Sequence, residues 1–173
     1  MSVVLIGMPG AGKTTLGETL AAHLALPFMD TDSVIEQQTG RSLQASLDQL
    51  GYQAMRELEG KIVAQCVRPV VPSVIATGGS VVYSDLAMRH LKSLGFCVYL
   101  QVSLHTLETR VTNWQSRGFS AAPGESLASV YAQREPLYKS YCDAILECDA
   151  LTLEQCLQRL KLLCQSHKNK VFD

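Results

Sequence analysis

The stretch Val3-Val4-Leu5-Ile6-Gly7-Met8-Pro9-Gly10-Ala11-Gly12-Lys13-Thr14-Thr15 decides the fold. It opens as a short apolar run that reads as a buried strand and then breaks into glycines, closing on a lysine and two threonines. From Gly7 to Thr14 it fits G-x-x-x-x-G-K-[ST], a pattern in which each constrained position has a physical task. Glycines let the chain curl until successive N–H groups point at one anion, and a helix beginning near Gly12 adds the positive end of its dipole. Gly10, Ala11 and Gly12 lie in that curl, and Lys13 brings a mobile charge to the outer phosphates of a nucleotide. Thr14 and Thr15 follow, the Thr14 hydroxyl suited to the shell of a magnesium ion. An ordinary strand-turn-helix needs neither so many glycines nor a Lys-Thr pair after the last of them.

The rest of the chain supports a strand-helix alternation around this loop. With 173 residues, 47% of them hydrophobic, it is long enough for one well-buried domain. A formal net charge of -1 and a pI near 6.4 give no global attraction for nucleic acid or an acidic membrane. Six cysteines show no C-x-x-C pair and no histidine at metal-ligand spacing, which predicts reduced thiols in the cytoplasm. Cys148, Cys156 and Cys164 recur every eight residues, about two helical turns, so the last two are expected on one helix face with Leu160 and Leu163. Met1-Ser2 leads straight into the first strand, an opening without the basic and apolar regions of a leader. The end, 165–173, is expected to be solvated.

After the loop, Leu16, Leu20 and Leu24 form a helical stripe that Pro27 ends. A second strand begins at Phe28 and is expected to finish in Asp30-Thr31-Asp32, two acids where an open parallel sheet receives its ligands. Ser33-x-x-Glu36 has the form of a capping box, and Gly40 closes that helix. Helices follow from Ser42 to Gly51 and over 52–66, the latter carrying Arg56 and Glu59 three apart, near enough for a surface ion pair. Val74-Ile75-Ala76 is a third strand, ending in Thr77-Gly78-Gly79-Ser80, where paired glycines mean close backbone approach or a tight turn. Ser84 caps a helix to Gly95, a fourth strand covers 96–102, and a helix from Ser103 carries Arg110 near its end. The region 114–125 has no periodicity and holds Arg117, an arginine that could close on phosphates. A long helix from Ser126 carries Arg134 and Tyr138, Ala144-Ile145-Leu146 is a fifth strand, and Thr152-x-x-Gln155 caps the last helix.

Taken in order, the phosphate loop, Asp30-Thr31-Asp32 with Ile35-Glu36, Arg56-x-x-Glu59, Ala76-Thr77-Gly78-Gly79 and Arg134-x-x-x-Tyr138 resemble the shikimate kinases, small P-loop kinases of the nucleoside-monophosphate-kinase group. The resemblance implies a three-layer α/β fold with a five-stranded parallel sheet and helices on both faces, in one domain over 1–173. It places a phosphate loop at 7–15, a substrate-binding helical region at about 33–66 and a lid at about 112–125. It implies ATP and shikimate as substrates, Mg2+ as cofactor, no nucleic-acid or membrane partner, and a monomer. By this resemblance Thr14 binds the metal and Asp30 supports it, while Asp32 contacts the acceptor hydroxyl. Arg56, oriented by Glu59, and Arg134 clamp the acceptor carboxylate. Gly78 and Gly79 line its seat, Arg110 stacks on adenine, and Arg117 reaches from the lid to share charge stabilisation with Lys13.

Four departures from the family pattern stand out. Ser80 replaces a third glycine, and Gly51-Tyr52 replaces Gly-Glu. Met55 replaces the aromatic beside the substrate arginine. Arg117-Gly118-Phe119, with Ala122-Pro123-Gly124-Glu125 further on, replaces an Arg-Pro-Leu-Leu run. Two other functions are compatible with these residues: a kinase of another small carboxylated polyol or hydroxy acid, and a nucleotide-binding regulatory protein without turnover. Retained Asp30, Asp32, Arg56 and Arg134 speak against the second, since a nucleotide sensor needs no acceptor clamp.

Overall fold

In the computed structural model, residues 1–111, 122 and 124–172 are described. Strand β1 (Ser2–Ile6) lies at the centre of a five-stranded sheet in the order β2-β3-β1-β4-β5, with β2 Phe28–Asp30, β3 Val74–Ala76, β4 Gly95–Gln101 and β5 Ala144–Glu147. Every pairing is parallel. Val4, Leu5 and Ile6 have no exposed surface, as a strand covered on both faces by helices requires. The order jumps on either side of β1, so the crevice that receives ligands opens beyond its carboxyl end, where the phosphate loop leaves the sheet.

The helices are α1 Lys13–Leu24, α2 Thr31–Thr39, α3 Leu43–Cys66, α4 Asp85–Leu94, α5 Leu104–Arg110, α6 Leu127–Tyr141 and α7 Leu153–Phe172. Serine side chains accept the backbone N–H groups that open α3, α4, α5 and α6, at Ser42, Ser84, Ser103 and Ser126. Thr152 and Gln155 make the reciprocal bonds of a capping box before α7. Gly51 (φ 76°, ψ 167°) breaks α3 where two helices were expected to meet, in a backbone region that side chains avoid.

Two expectations change. Helix α2 starts two residues before Ser33: Asp30 is its cap, accepting the Asp32 amide at 2.9 Å, so β2 stops at Asp30 and Asp32 stands in the first helical turn. Glu36, expected to close a capping box, accepts the Leu43 amide at 3.0 Å and ties α2 to the start of α3. The C-terminal end is helical through Phe172, and His167 stacks on Phe96 with ring centroids 4.1 Å apart. Cys156, Cys164 and Leu160 are buried on one face of α7, as their spacing indicates.

Two clusters hold this framework. The large one joins the sheet to the flanking helices, and a small one joins α2 to α3 through buried Ile35, Met55 and Ile62. At about 1.5–3 kcal/mol for each large apolar side chain removed from water, the small cluster seats the α2–α3 pair but leaves it dependent on its neighbours. Helix α3 gains that support by pressing Gly60 against Ser84, where a Cβ would meet the Ser84 side chain. The expected lid falls outside the described residues except for Ala122, Gly124 and Glu125, and Arg117 lies outside them too.

Candidate active site

The phosphate loop owes its path to backbone that only glycine adopts readily. Gly10 (φ 84°) sits where a Cβ would overlap the Val111 side chain, and Gly12 (φ 89°) turns the chain into α1. Lys13, Thr14 and Thr15 occupy the first turn of α1, so their N–H groups have no intrahelical acceptor and face the crevice with the helix dipole behind them. Lys13 is 8% exposed and donates from Nζ to the Gly7 and Met8 carbonyls at 2.8 and 2.9 Å. Burial pulls its ammonium down to about 8, against the opposing pull of Asp32 and Asp30. The lysine is therefore held by two neutral carbonyls that phosphate oxygens can replace.

A cavity of about 550 Å³ runs from this loop across the sheet edge. Gly10, Gly12, Lys13, Thr14, Thr15 and Arg110 line one end, and Asp32, Glu59, Gly78, Gly79, Ser80 and Arg134 the other. A shallower hollow of about 300 Å³ continues outward past Ala11, Thr15, Arg110, Cys148 and Leu151. Arg110, exposed at the end of α5, borders both, a suitable place for a planar base. The structure thus brings together every described residue singled out from the sequence except Arg56, which stands beside the cavity.

Thr14 Oγ1 donates to Asp30 Oδ2 at 3.1 Å, so the two oxygens meet at the floor between loop and β2. Among the described residues no cluster of three or more His, Cys, Asp or Glu could hold a metal unaided. A hydroxyl and a carboxylate beside a phosphate site fit Mg2+, which takes few protein ligands and fills its octahedron with water and phosphate oxygens. The donor set fits poorly with a soft metal.

At the far end two carboxyl groups flank one glycine. A Cβ on Gly78 would come 2.6 Å from Glu59 Oε1 and 2.7 Å from Asp32 Oδ1, which explains why no side chain stands there. Asp32 is raised to about 6 by burial first and by the Asp30 charge second, with Lys13 pulling the other way. Glu59 is 4% exposed, and burial raises it to about 7. It is no half of a surface ion pair: it accepts a short hydrogen bond from Ser80 Oγ. Ser80, where the family pattern has glycine, thereby fastens the β3 turn to α3.

The glycine turn is held from below. Gly78 N–H donates to Thr31 Oγ1 at 3.0 Å, and the buried Tyr138 hydroxyl donates to the Gly79 carbonyl at 2.6 Å. Among the described residues no backbone carbonyl accepts from the Gly79 amide. Tyr138 also lies 3.8 Å from Met8 Sδ, and Gly79 packs on Pro9, so acceptor turn and phosphate loop bear directly on each other. One turn away on α6, Arg134 is 1% exposed and reaches the cavity. Arg56 stacks on Tyr83 at 3.9 Å and faces Tyr52 at 5.3 Å. Aromatic support missing at Met55 is thus supplied by other residues, while Met55 turns into the small α2–α3 core. Tyr83 carries no periodic or motif signal in the sequence; its contacts are with residues far away along the chain.

The sequence model of the shikimate kinase family matches residues 9–164. A shikimate kinase from Paracidovorax citrulli is 37% identical over 142 residues, covering 80% of this chain and 78% of that one. The solved structure of the Acinetobacter baumannii shikimate kinase in complex with shikimate superposes with a TM-score of 0.85 at 27% identity, covering 96% of this chain and 94% of that one. A deoxyadenosine kinase from M. mycoides, 13% identical with a TM-score of 0.63 and covering 96% of this chain and 99% of that one, shares the fold alone.

Proposed function

The chain belongs to the shikimate kinase family, and from that premise we propose how its residues transfer the γ-phosphoryl of ATP to shikimate, giving shikimate 3-phosphate. The observation that carries the reading is the single cavity joining Lys13 and Thr14 to Asp32 and Arg134. It has a cationic loop for the donor at one end and a carboxylate with a guanidinium for an anionic alcohol at the other.

The first-turn amides of α1 and the curl of Gly10, Ala11 and Gly12 take the β- and γ-phosphates, and Lys13 leaves the Gly7 and Met8 carbonyls for them. Thr14 and Asp30 would hold Mg2+, and the ion would supply neutralisation of the phosphate charge. Arg110 stacks on adenine, and the charge of Arg117, which lies outside the described residues, is assigned to the transferring phosphoryl. Arg134 and Arg56 take the carboxylate of shikimate, and the Gly79 amide steadies the ring. Asp32 accepts a hydrogen bond from the attacking hydroxyl and takes its proton as the new P–O bond forms and the bond from the γ-phosphorus to the bridging oxygen of departing ADP breaks. Positioning and electrostatics supply most of the rate in such a reaction, since little covalent work falls to the protein. The same reading makes the chain one kinase domain, acting as a monomer in the cytoplasm. Among the described residues no helix is long and apolar enough to cross a membrane, and no disulfide joins the cysteines.

A coupled assay of ADP release with ATP, Mg2+ and shikimate tests this. Shikimate is expected to raise ADP formation at least tenfold above the background hydrolysis, and no stimulation with folded protein would sink it.

A pH profile gives a second check. Asp32 must be ionised to accept a proton, and it gains one as pH falls through about 6, with Glu59 titrating near 7. Lys13 must be charged, and in the free protein it loses its proton as pH rises through about 8. The kcat/KM for ATP is therefore expected to be bell-shaped between these limbs. The kcat at saturating ATP should hold to higher pH, because bound phosphates keep Lys13 protonated. A kcat/KM flat from pH 5 to 9 would contradict both assignments.

A further inference from the structure

Two like charges stand side by side at the acceptor end, and one ring lies against both. The Arg56 guanidinium carbon is 3.9 Å from the Tyr83 ring centroid, and that of Arg134 is 5.2 Å away. The Tyr83 hydroxyl is fixed as well: it accepts from Arg134 Nε at 3.4 Å and donates to Gln133 Oε1 at 3.1 Å. Gln133 in turn donates to Glu125 at 2.7 Å, so the ring is anchored through α6 to the chain just before that helix. Tyr83 is half-buried at the end of the 3₁₀ turn Val81–Tyr83, which directly follows the glycine turn of the acceptor seat. The negative face of an aromatic ring attracts a guanidinium and offsets the repulsion between two of them. A planar guanidinium resting on a ring is also fixed in orientation, which sets the direction of its N–H edge.

We propose that Tyr83 is a positioning residue for shikimate: its ring holds Arg56 and Arg134 as a preassembled pair, so the acceptor carboxylate meets two aligned forks. This rests on the reading of both arginines as the acceptor clamp. It goes beyond that reading by assigning the clamp's geometry to a residue outside the family pattern. Arg56 enters α3 beside Met55, with no ring from that neighbour to guide it, and Tyr83 with Tyr52 provides the surface it rests on. Preorganisation of this kind acts on acceptor binding and leaves the phosphoryl-transfer end untouched.

The test compares Tyr83→Leu, Tyr83→Phe and Arg134→Lys with the native chain in steady-state kinetics, varying shikimate and ATP separately. Tyr83→Leu is expected to raise KM for shikimate roughly tenfold, with kcat and KM for ATP within about twofold. Tyr83→Phe keeps the ring and is expected to stay within about threefold of native in every parameter. A loss of folding would raise both KM values or lower the active fraction, and the Phe variant would then still report on the ring. A Tyr83→Leu KM for shikimate within twofold of native, equal rises for both substrates, or a Phe variant as impaired as Leu would each overturn the proposal. If Arg134→Lys also left KM for shikimate unchanged, the clamp itself would fail. A response to Arg134→Lys without one to Tyr83→Leu would remove only the role of Tyr83.

Discussion

Asp32→Asn is expected to lower kcat by about a thousandfold while leaving the affinity for MgATP within about threefold at pH 7. The substitution keeps the shape of the side chain and removes the capacity to take a proton from the acceptor hydroxyl. Asp32 stands in the first turn of α2, across the cavity from the phosphate loop, and acts on Lys13 through charge. Without that charge Lys13 loses its proton more easily, so some weakening of ATP binding should emerge above pH 8. The same variant should be the more stable protein in alkaline buffer. Burial and Asp30 raise the folded-state value of Asp32 from 3.8 to about 6, so the native chain binds this proton more tightly than the unfolded chain does. Native stability therefore falls as pH rises from about 4 through about 6, and the full penalty is present above that window. Asparagine removes it, which should raise the melting temperature by roughly 2–6 °C at pH 8 and have little effect near pH 4. Single-turnover kinetics, a nucleotide titration and melting curves at the two pH values measure all three effects. Equal loss of turnover and ATP affinity would contradict the role given to Asp32.

Arg134→Lys is expected to raise KM for shikimate about a hundredfold, with KM for ATP nearly unchanged. Lysine preserves the charge but replaces a planar fork by a single ammonium on a differently shaped stem, which cannot grip a carboxylate with two parallel bonds. The site is 1% exposed and lies between Gly79 and Tyr83, so there is little room for water to replace the lost donors. Truncation to alanine would confuse this result by emptying a buried position, whereas lysine keeps most of the volume. Steady-state kinetics with each substrate varied in turn measures the effect. An unchanged KM for shikimate would remove the acceptor clamp, and an equal rise for both substrates would indicate general damage to the site.

What the sequence made legible follows from how local each constraint is. The phosphate loop could be read directly because its backbone conformation and its Lys-Thr pair are fixed within a few residues. The strands could be read because a strand buried on both faces is a short apolar run, and most helix starts because Ser42, Ser84, Ser103 and Ser126 cap their own turns. The start of α2 was misplaced because two capping signals overlap there: Asp30 and Ser33 both have the chemistry, and the Asp30–Asp32 bond wins. That shift moves Asp32 from strand to helix without removing it from the cavity. The acceptor end was less legible since it is made by contacts between distant segments. Ser80 gains its purpose from Glu59, and Tyr83 from Arg56 and Arg134, none of which proximity in sequence reveals. Read in isolation, Ser80, Tyr52 and Met55 look like losses from a family pattern. In the fold, Ser80 fastens the glycine turn, and Tyr52 and Tyr83 take up the support of Arg56 that Met55 does not give.

The central claim is that one cavity brings the γ-phosphoryl of ATP to a hydroxyl of shikimate, and phosphorus NMR of the reaction tests it most directly. With the native chain, Mg2+, ATP and shikimate, the γ-phosphorus signal should disappear in step with one new phosphomonoester signal coupled to the ring proton at carbon 3, with ADP formed in equal amount. ADP accompanied by inorganic phosphate in place of that ester, or no loss of the γ-phosphorus signal when shikimate is present, would contradict it.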